Sequence, residues 1–332
     1  MGWTAMHAST RAHTRPRRER SATAATVFGL DVRSALRMPF LEHARAAPTG
    51  RVLRIGRRPQ AGRPATWHDG ARTICSQSRS DGPISFRIEA HPHDGYELWG
   101  KAGGSYLLSL DGHELRCDPG DHLAHSWERF LVGQVLPFAA LVGGLEIFHA
   151  SAVVLDRRAI AFAGPSGAGK TSLALELCRR GAGFFADDVL ALEARASELI
   201  AHPGSPVAAV DPHAIREPGD TPAGGTRLSC DGGELVLRVD GASSAVPLGA
   251  LFFLDRPARG EIRRLCFEPV EDARLLLAST FNFVLDTPQR MRGLLDVCSL
   301  AAQRPVERIE IPPSLDAAGL AEAVLRRVAG LP

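Results

Sequence analysis

The chain has 332 residues, 45 % of them hydrophobic and 23 % charged, which is the composition of an ordinary soluble globular protein with room for one large domain or two modest ones. Its formal net charge of +2 gives no case for nucleic-acid binding, because much of the basic surplus sits in one short N-terminal segment. Cys75, Cys117, Cys178, Cys230, Cys266 and Cys298 are scattered with no C-x-x-C pair, which argues against a disulfide framework or a zinc site and for a reducing, cytoplasmic setting.

Residues 1–24 carry Arg11, Arg15, Arg17, Arg18 and Arg20, with Glu19 as the one acid. No apolar core follows, so a secretory signal is excluded; the segment reads as a disordered tail or an early start, with an organellar targeting segment as the alternative. Residues 25–133 read as a small β-rich module. Pro83–Glu89 alternates apolar and polar residues, Tyr96–Trp99 and Ser105–Leu110 continue the pattern, and Asp111-Gly112 supplies a hairpin turn before His113–Arg116. His91-x-His93 and His122-x-x-His125 have spacings that could serve a metal, but no cysteine or clustered carboxylate completes either pair, so surface histidines are expected.

Leu131–Phe148 is the most apolar stretch. Gln134, Pro137, Gly143-Gly144 and Glu146 interrupt it, so it reads as a buried helix and not as a membrane span. Two strand-like runs follow, Ala150–Leu155 and Ala159–Ala163, parted by the polar turn Asp156-Arg157-Arg158. The second run feeds into Gly164-Pro165-Ser166-Gly167-Ala168-Gly169-Lys170-Thr171-Ser172, and Thr171–Arg180 then shows a helical pattern ending at Gly181. Gly183–Ala186 reads as a buried strand delivering Asp187-Asp188. Farther on, His202–Gly225 is rich in Pro and Gly and reads as loop. Strands are expected at Glu234–Val239, Leu248–Leu254 and Val306–Ile311, and helices at Glu271–Ala278, Met291–Leu300 and Leu315–Val328.

The octamer Gly164–Thr171 matches G-x-x-x-x-G-K-T between a strand and a helix. Such a loop turns successive N–H groups toward phosphate oxygens and presents a helix N-terminus to them. Lys170 would reach the β- and γ-phosphates, and the Thr171 hydroxyl would ligate Mg²⁺. Only Lys101 and Lys170 occur as lysine in this arginine-rich chain, which marks Lys170 as a place where a compact ammonium is needed. One of the two carboxylates is expected beside Thr171 at Mg²⁺ and the other as the base toward an attacking hydroxyl; spacing alone leaves the order open, with Asp187 preferred as base and Asp188 at the metal.

Other phosphate-loop classes lack their signatures here. Asn282, the one asparagine, is followed by Phe283, so there is no N-K-x-D guanine reader, and no L-S-G-G-Q-like sequence occurs. A phosphotransferase remains. His149 precedes Lys170 by twenty-one residues, and Asp187 follows Lys170 by seventeen. With these spacings the region Phe148–Leu192 resembles the C-terminal domain of bacterial HPr kinase/phosphorylase, with thinner likeness as far as Val328. The resemblance implies an α/β kinase domain with a mixed sheet over residues 134–332, ATP and Mg²⁺ as cofactors, and a serine acceptor in a peptide or small protein. It also implies His149 near the transferred phosphate and a possible homo-oligomer. The E-x-R-G-x-G and P-G-R-N signatures are missing, so it does not extend to phosphorolysis or to HPr as substrate; Glu217 is the nearest candidate for a further metal ligand. An ATP-binding regulatory protein and a small-molecule kinase are the alternative readings.

Overall fold

The computed structural model describes residues 23–58, 67, 70–78, 83–118, 124–211, 225–231, 234–256, 264–281 and 287–331. The basic segment up to residue 22, His122 and Glu217 lie outside them. Eight strands form the first sheet: β1 (Thr23–Val27), β2 (Leu30–Ser34), β3 (Val52–Arg57), β4 (Arg72–Ser78), β5 (Ile84–His91), β6 (Gly95–Gly100), β7 (Gly104–Leu108) and β8 (Glu114–Asp118). Their order is β1-β2-β3-β8-β7-β6-β5-β4. The pairs β2–β3 and β3–β8 are parallel, and the other neighbours are antiparallel. The expected alternating strands fall in β5, β6 and β7. Asp111 then folds the chain back, accepting from Ser109 Oγ at 2.6 Å and from the His113 N–H at 3.0 Å.

His91 departs from the expected surface role. It is 5 % exposed, stacks on Trp67, and its Nδ1 faces the backbone N–H of Asp94 at 3.0 Å. Among the described residues no group of three His, Cys, Asp or Glu side chains is arranged to hold a metal.

The apolar stretch also folds differently from expectation. A helical rod starts earlier, with α1 (Ala124–Phe130), passes through a π-turn at Leu131–Val135, where the Leu136 N–H reaches the Leu131 carbonyl, and ends with α2 (Leu136–Val142). Gly143-Gly144 stops it, Gly144 taking a left-handed φ of 89° that L side chains resist. The last part of the run, Glu146–Phe148, is instead strand β9. The rod buries Leu131, Val135, Leu136 and Ala139 with Leu53, Leu98, Tyr106 and Leu115 of the first sheet, so its apolar face is used up against strands. Among the described residues no helix is long and apolar enough to cross a membrane.

The second sheet is built from β10 (Ala150–Leu155), β11 (Arg158–Ala163), β12 (Gly183–Ala186), β13 (Leu190–Arg195), β14 (Glu198–His202) and β18 (Val246–Asp255), in the order β12-β10-β11-β18-β14-β13-β9. β18 pairs with β14 through its first residues and, through its last, runs parallel to β20 (Val306–Glu310), which also pairs with β19 (Cys266–Pro269). Helices cover both faces. On one, α3 (Lys170–Arg179) and α6 (Ala317–Ala329) bury Leu173, Leu177, Leu320 and Val324 over Ile160, Phe162 and Phe252. On the other, α5 (Pro288–Ala302) sets Leu294, Val297 and Ala301 against an alanine-rich surface that includes Ala150, Ala161 and Ala163. A short helix, α4 (Arg274–Ala278), replaces the longer one expected from residue 271.

A three-stranded ribbon, β15-β17-β16, completes the fold with β15 (Val207–Val210), β16 (Thr226–Asp231) and β17 (Glu234–Arg238). β15 lies inside the stretch expected to be loop. Its four residues are too few to outweigh the surrounding Pro and Gly by pattern, yet Ala208 and Val210 pack with Leu175, Phe184 and Leu237. The molecule is thus a mixed α/β protein with several mixed sheets and few helices.

Candidate functional site

The site is assembled at one edge of the second sheet by strand direction. β10 is antiparallel to both β11 and β12, pairing Ala150 with Ala163 and Ala152 with Ala186. The start of β10 therefore meets the ends of β11 and β12, and β18, parallel to β11, ends at the same edge. His149, Gly164 and Asp187 follow or precede those strand ends by one residue. Ligands in α/β sheets collect at such C-terminal edges.

From Ala163 the chain enters the glycine loop. Gly164 has a φ of 142°, and a Cβ there would lie 2.6 Å from the Leu254 carbonyl oxygen, so both conformation and space demand glycine. Gly167 and Gly169 have φ of 82° and 95°. Gly169 is the N-cap of α3 and offers no side chain to its first N–H groups, which leaves that helix end free to hold an anion. Pro165, Ser166 and Gly167 are exposed, Ala168 is buried, and Thr171 and Ser172 open the first turn. Lys170 is 5 % exposed and donates to the carbonyls of Gly164 at 2.8 Å and Pro165 at 3.2 Å. Burial lowers its pKa, against the opposing pull of the Asp188 and Asp187 charges.

Asp187 is half-buried and fully engaged. Its Oδ1 accepts from Thr171 Oγ1 at 2.7 Å and from Ser151 Oγ at 2.8 Å, and its Oδ2 from the Ala209 N–H at 3.1 Å. Burial, and then the neighbouring Asp188 charge, push it up to about 6, while those three donors pull the other way. Asp188 is exposed, with a left-handed φ of 60°. Its carbonyl accepts from His149 Nδ1 at 3.0 Å; since a carbonyl cannot donate, Nδ1 carries the proton and a neutral ring has Nε2 as its acceptor. His149 itself is anchored by its N–H to the Ser279 carbonyl at 2.7 Å.

His149, Lys170, Thr171, Asp187 and Asp188 thus lie together at this edge. The Thr171 hydroxyl is bonded to Asp187, not to Asp188. Ser151 and the Ala209 N–H were not anticipated. Ser151 had a signal: it is the one polar residue in Ala150–Leu155, and it is fully buried. Two cavities flank His149. One, of about 480 Å³, lies beside Gly164, Pro165, Asp255 and Arg308; the other, of about 840 Å³, lies beside Asp188, the helical rod and the β16–β17 ribbon.

No protein-family model matches the chain, and no curated protein matches it. Among solved structures, the Hpr(Ser) kinase/phosphatase from Coxiella burnetii aligns with a TM-score of 0.30 and 16 % identity, covering 55 % of this chain and 88 % of that one. Similarity at that level leaves the local geometry above to carry the functional reading.

Proposed function

We propose that the chain is an Mg²⁺- and ATP-dependent kinase that transfers the γ-phosphate to a hydroxyl, that of a serine in a peptide or small protein, through an HPr-kinase-like domain placed after the β-rich module. The observation that carries this is the 2.7 Å contact between Thr171 Oγ1 and Asp187 beside a glycine loop whose helix start is uncapped. A hydroxyl and a carboxylate oxygen sharing one point form a hard, all-oxygen donor set that suits Mg²⁺, which keeps most of its coordination for phosphate and water. When bound there, Mg²⁺ would neutralise charge on the phosphates.

Spacing leaves the two aspartate roles open, and the geometry favours the reverse of the order preferred from sequence. Asp187, tied to Thr171 and Ser151, would sit at the metal. Asp188, exposed toward the larger cleft and steered by His149 through its own carbonyl, would accept the proton. The loop N–H groups and the Lys170 ammonium hold the donor phosphates, Lys170 leaving the carbonyls of Gly164 and Pro165 to do so. The acceptor oxygen bonds to the γ-phosphorus as the bond to the β,γ-bridging oxygen breaks. ADP departs, and the hydroxyl proton passes to Asp188.

Single-turnover transfer of labelled γ-phosphate tests the assignment. Asp188→Asn lowers the transfer rate by about 10²- to 10⁴-fold, the range of a general base, with nucleotide affinity kept. Asp187→Asn instead raises the Mg²⁺ concentration required. Full activity in both variants would remove both aspartate roles, and a wild-type chain that binds Mg-ATP, loses that binding in Lys170→Ala, and transfers phosphate to no hydroxyl would be a nucleotide-binding regulatory protein and no kinase.

A further inference from the structure

We propose that the phosphate acceptor is an extended peptide segment bound in the 840 Å³ cleft between the helical rod and the β16–β17 ribbon, so that the N-terminal module forms one wall of the acceptor site. The inference rests on the kinase reading and adds where and in what form the acceptor binds. His149 lines both cavities, and Asp188 lines only this one. A donor on the glycine loop and a hydroxyl in the cleft therefore approach His149 and Asp188 from separate sides, as in-line transfer requires.

The walls of the cleft suit a polypeptide. Gln77 belongs to β4 and Ser229 to β16, each the outermost strand of its sheet with a single neighbouring strand among the described residues. An outermost strand presents alternating N–H and C=O groups that an extended chain can pair along its length and a compact metabolite cannot. Ser229 Oγ and, on α1, His125 Nδ1 are buried without a hydrogen-bond partner among the described residues. Buried polar atoms are seldom left so in a finished structure, and here both belong to residues lining the cleft, where an entering backbone could reorganise and satisfy them.

The rod is shaped to the same end. Its π-turn contains Gly133, which borders the cleft, and a Cβ built there meets nothing within 4 Å. No neighbour requires the missing side chain, although glycine weakens a helix. Single-turn π segments recur at functional positions, and this one leaves an empty slot in the wall facing Asp188.

The slot supplies the test. Wild type and the graded series Gly133→Ala, Gly133→Leu and Gly133→Trp are given Mg-ATP labelled at the γ-phosphate, with a serine-centred dodecapeptide library and, separately, with free serine and glycerol. Melting temperature and Mg-ATP affinity are measured on each chain. Wild type should label peptides, Gly133→Ala should stay close to it, and labelling should fall with side-chain size, by about tenfold or more for Gly133→Trp through a raised peptide KM. If Gly133→Trp does not fold, the fall in Gly133→Leu decides. Peptide labelling at the wild-type rate in a folded Gly133→Trp chain overturns the cleft. Wild-type transfer to serine or glycerol with none to peptides overturns the peptide while leaving the kinase reading standing. A wild-type chain that binds no Mg-ATP overturns that reading and this inference together.

Discussion

In the first sheet, Arg58 and Glu97 lie side by side with side-chain exposures of 8 % and 3 %, joined at 3.0 Å, and Ser105 Oγ donates to the same carboxylate oxygen at 2.8 Å. At the edge of the second sheet Lys170 is equally buried, but among the described residues its ammonium donates to carbonyl oxygens, with the Asp188 and Asp187 charges near it and not hydrogen-bonded to it. The helices repeat the contrast. Thr287 caps α5 by accepting from the Arg290 N–H at 3.2 Å, and Asp316 caps α6 by accepting from the Gly319 N–H at 2.9 Å, whereas α3 begins at a glycine. A charge with a built-in counter-ion and a helix with a built-in cap are finished within the chain. A charge and a helix end held by neutral dipoles can exchange them for an incoming anion, and in this molecule the two unfinished features meet at Gly164–Thr171.

The contrast can be broken by substitution. Glu97→Ala, which strands a buried guanidinium, should cost about 3–5 kcal/mol in urea unfolding. A much smaller cost would mean that Arg58 is solvated after all. Lys170→Ala should lower phosphotransfer by about 10²- to 10³-fold, the scale of losing one preorganised donor, with little change in melting temperature. A collapse of melting temperature in that variant would class Lys170 with Arg58 as a structural charge.

Glu128 sharpens the comparison through pH. It is 1 % exposed, accepts from the Phe40 N–H at 2.6 Å, and burial pushes it up to about 8 from an ordinary 4.5. The folded chain thus keeps a proton that the unfolded chain gives up. Stability from this group is complete below pH 4.5 and is lost as pH rises toward 8, by about 1.4 kcal/mol per pH unit at most. Glu128→Gln should flatten that slope in melting temperature against pH, and an unchanged slope would assign it to other groups. The smallest effect is expected from Asp316→Ala, about 1 kcal/mol of stability with Mg-ATP affinity unaltered. Altered affinity would show that α6 reaches the site through α3.

Much of the site could be read in advance because its parts are local. Glycines at positive φ, a lysine in a nearly lysine-free chain, and two aspartates after an apolar run are each visible within a few residues. What escaped was made by pairing across distance. The Thr171–Asp187 contact depends on β10 lying between β11 and β12, and no spacing along the chain fixes which of two adjacent carboxylates turns toward the loop. A helix end is expected where β9 forms because an apolar run has the same composition in either state, and only the Gly143-Gly144 stop separates them. β15 was hidden by its neighbours. The cleft wall was invisible for a further reason: it combines residues near 77, 130 and 230, which nothing short of the fold brings together.

The β10–β11 hairpin closes on Asp156 and Arg157, both left-handed with φ of 48° and 61°, and pairs Leu155 with Arg158. Since β10 starts at the site, this turn lies at the opposite edge, about 20 Å away along six strand residues. The chain can therefore be opened there, with Thr23 and Leu331 joined by a linker, without touching the edge that carries His149, Lys170 and Asp187. Such a rearranged chain would begin with the strand that feeds the glycine loop and finish with the strand that follows His149, so the order in which the two halves are synthesised becomes an experimental variable.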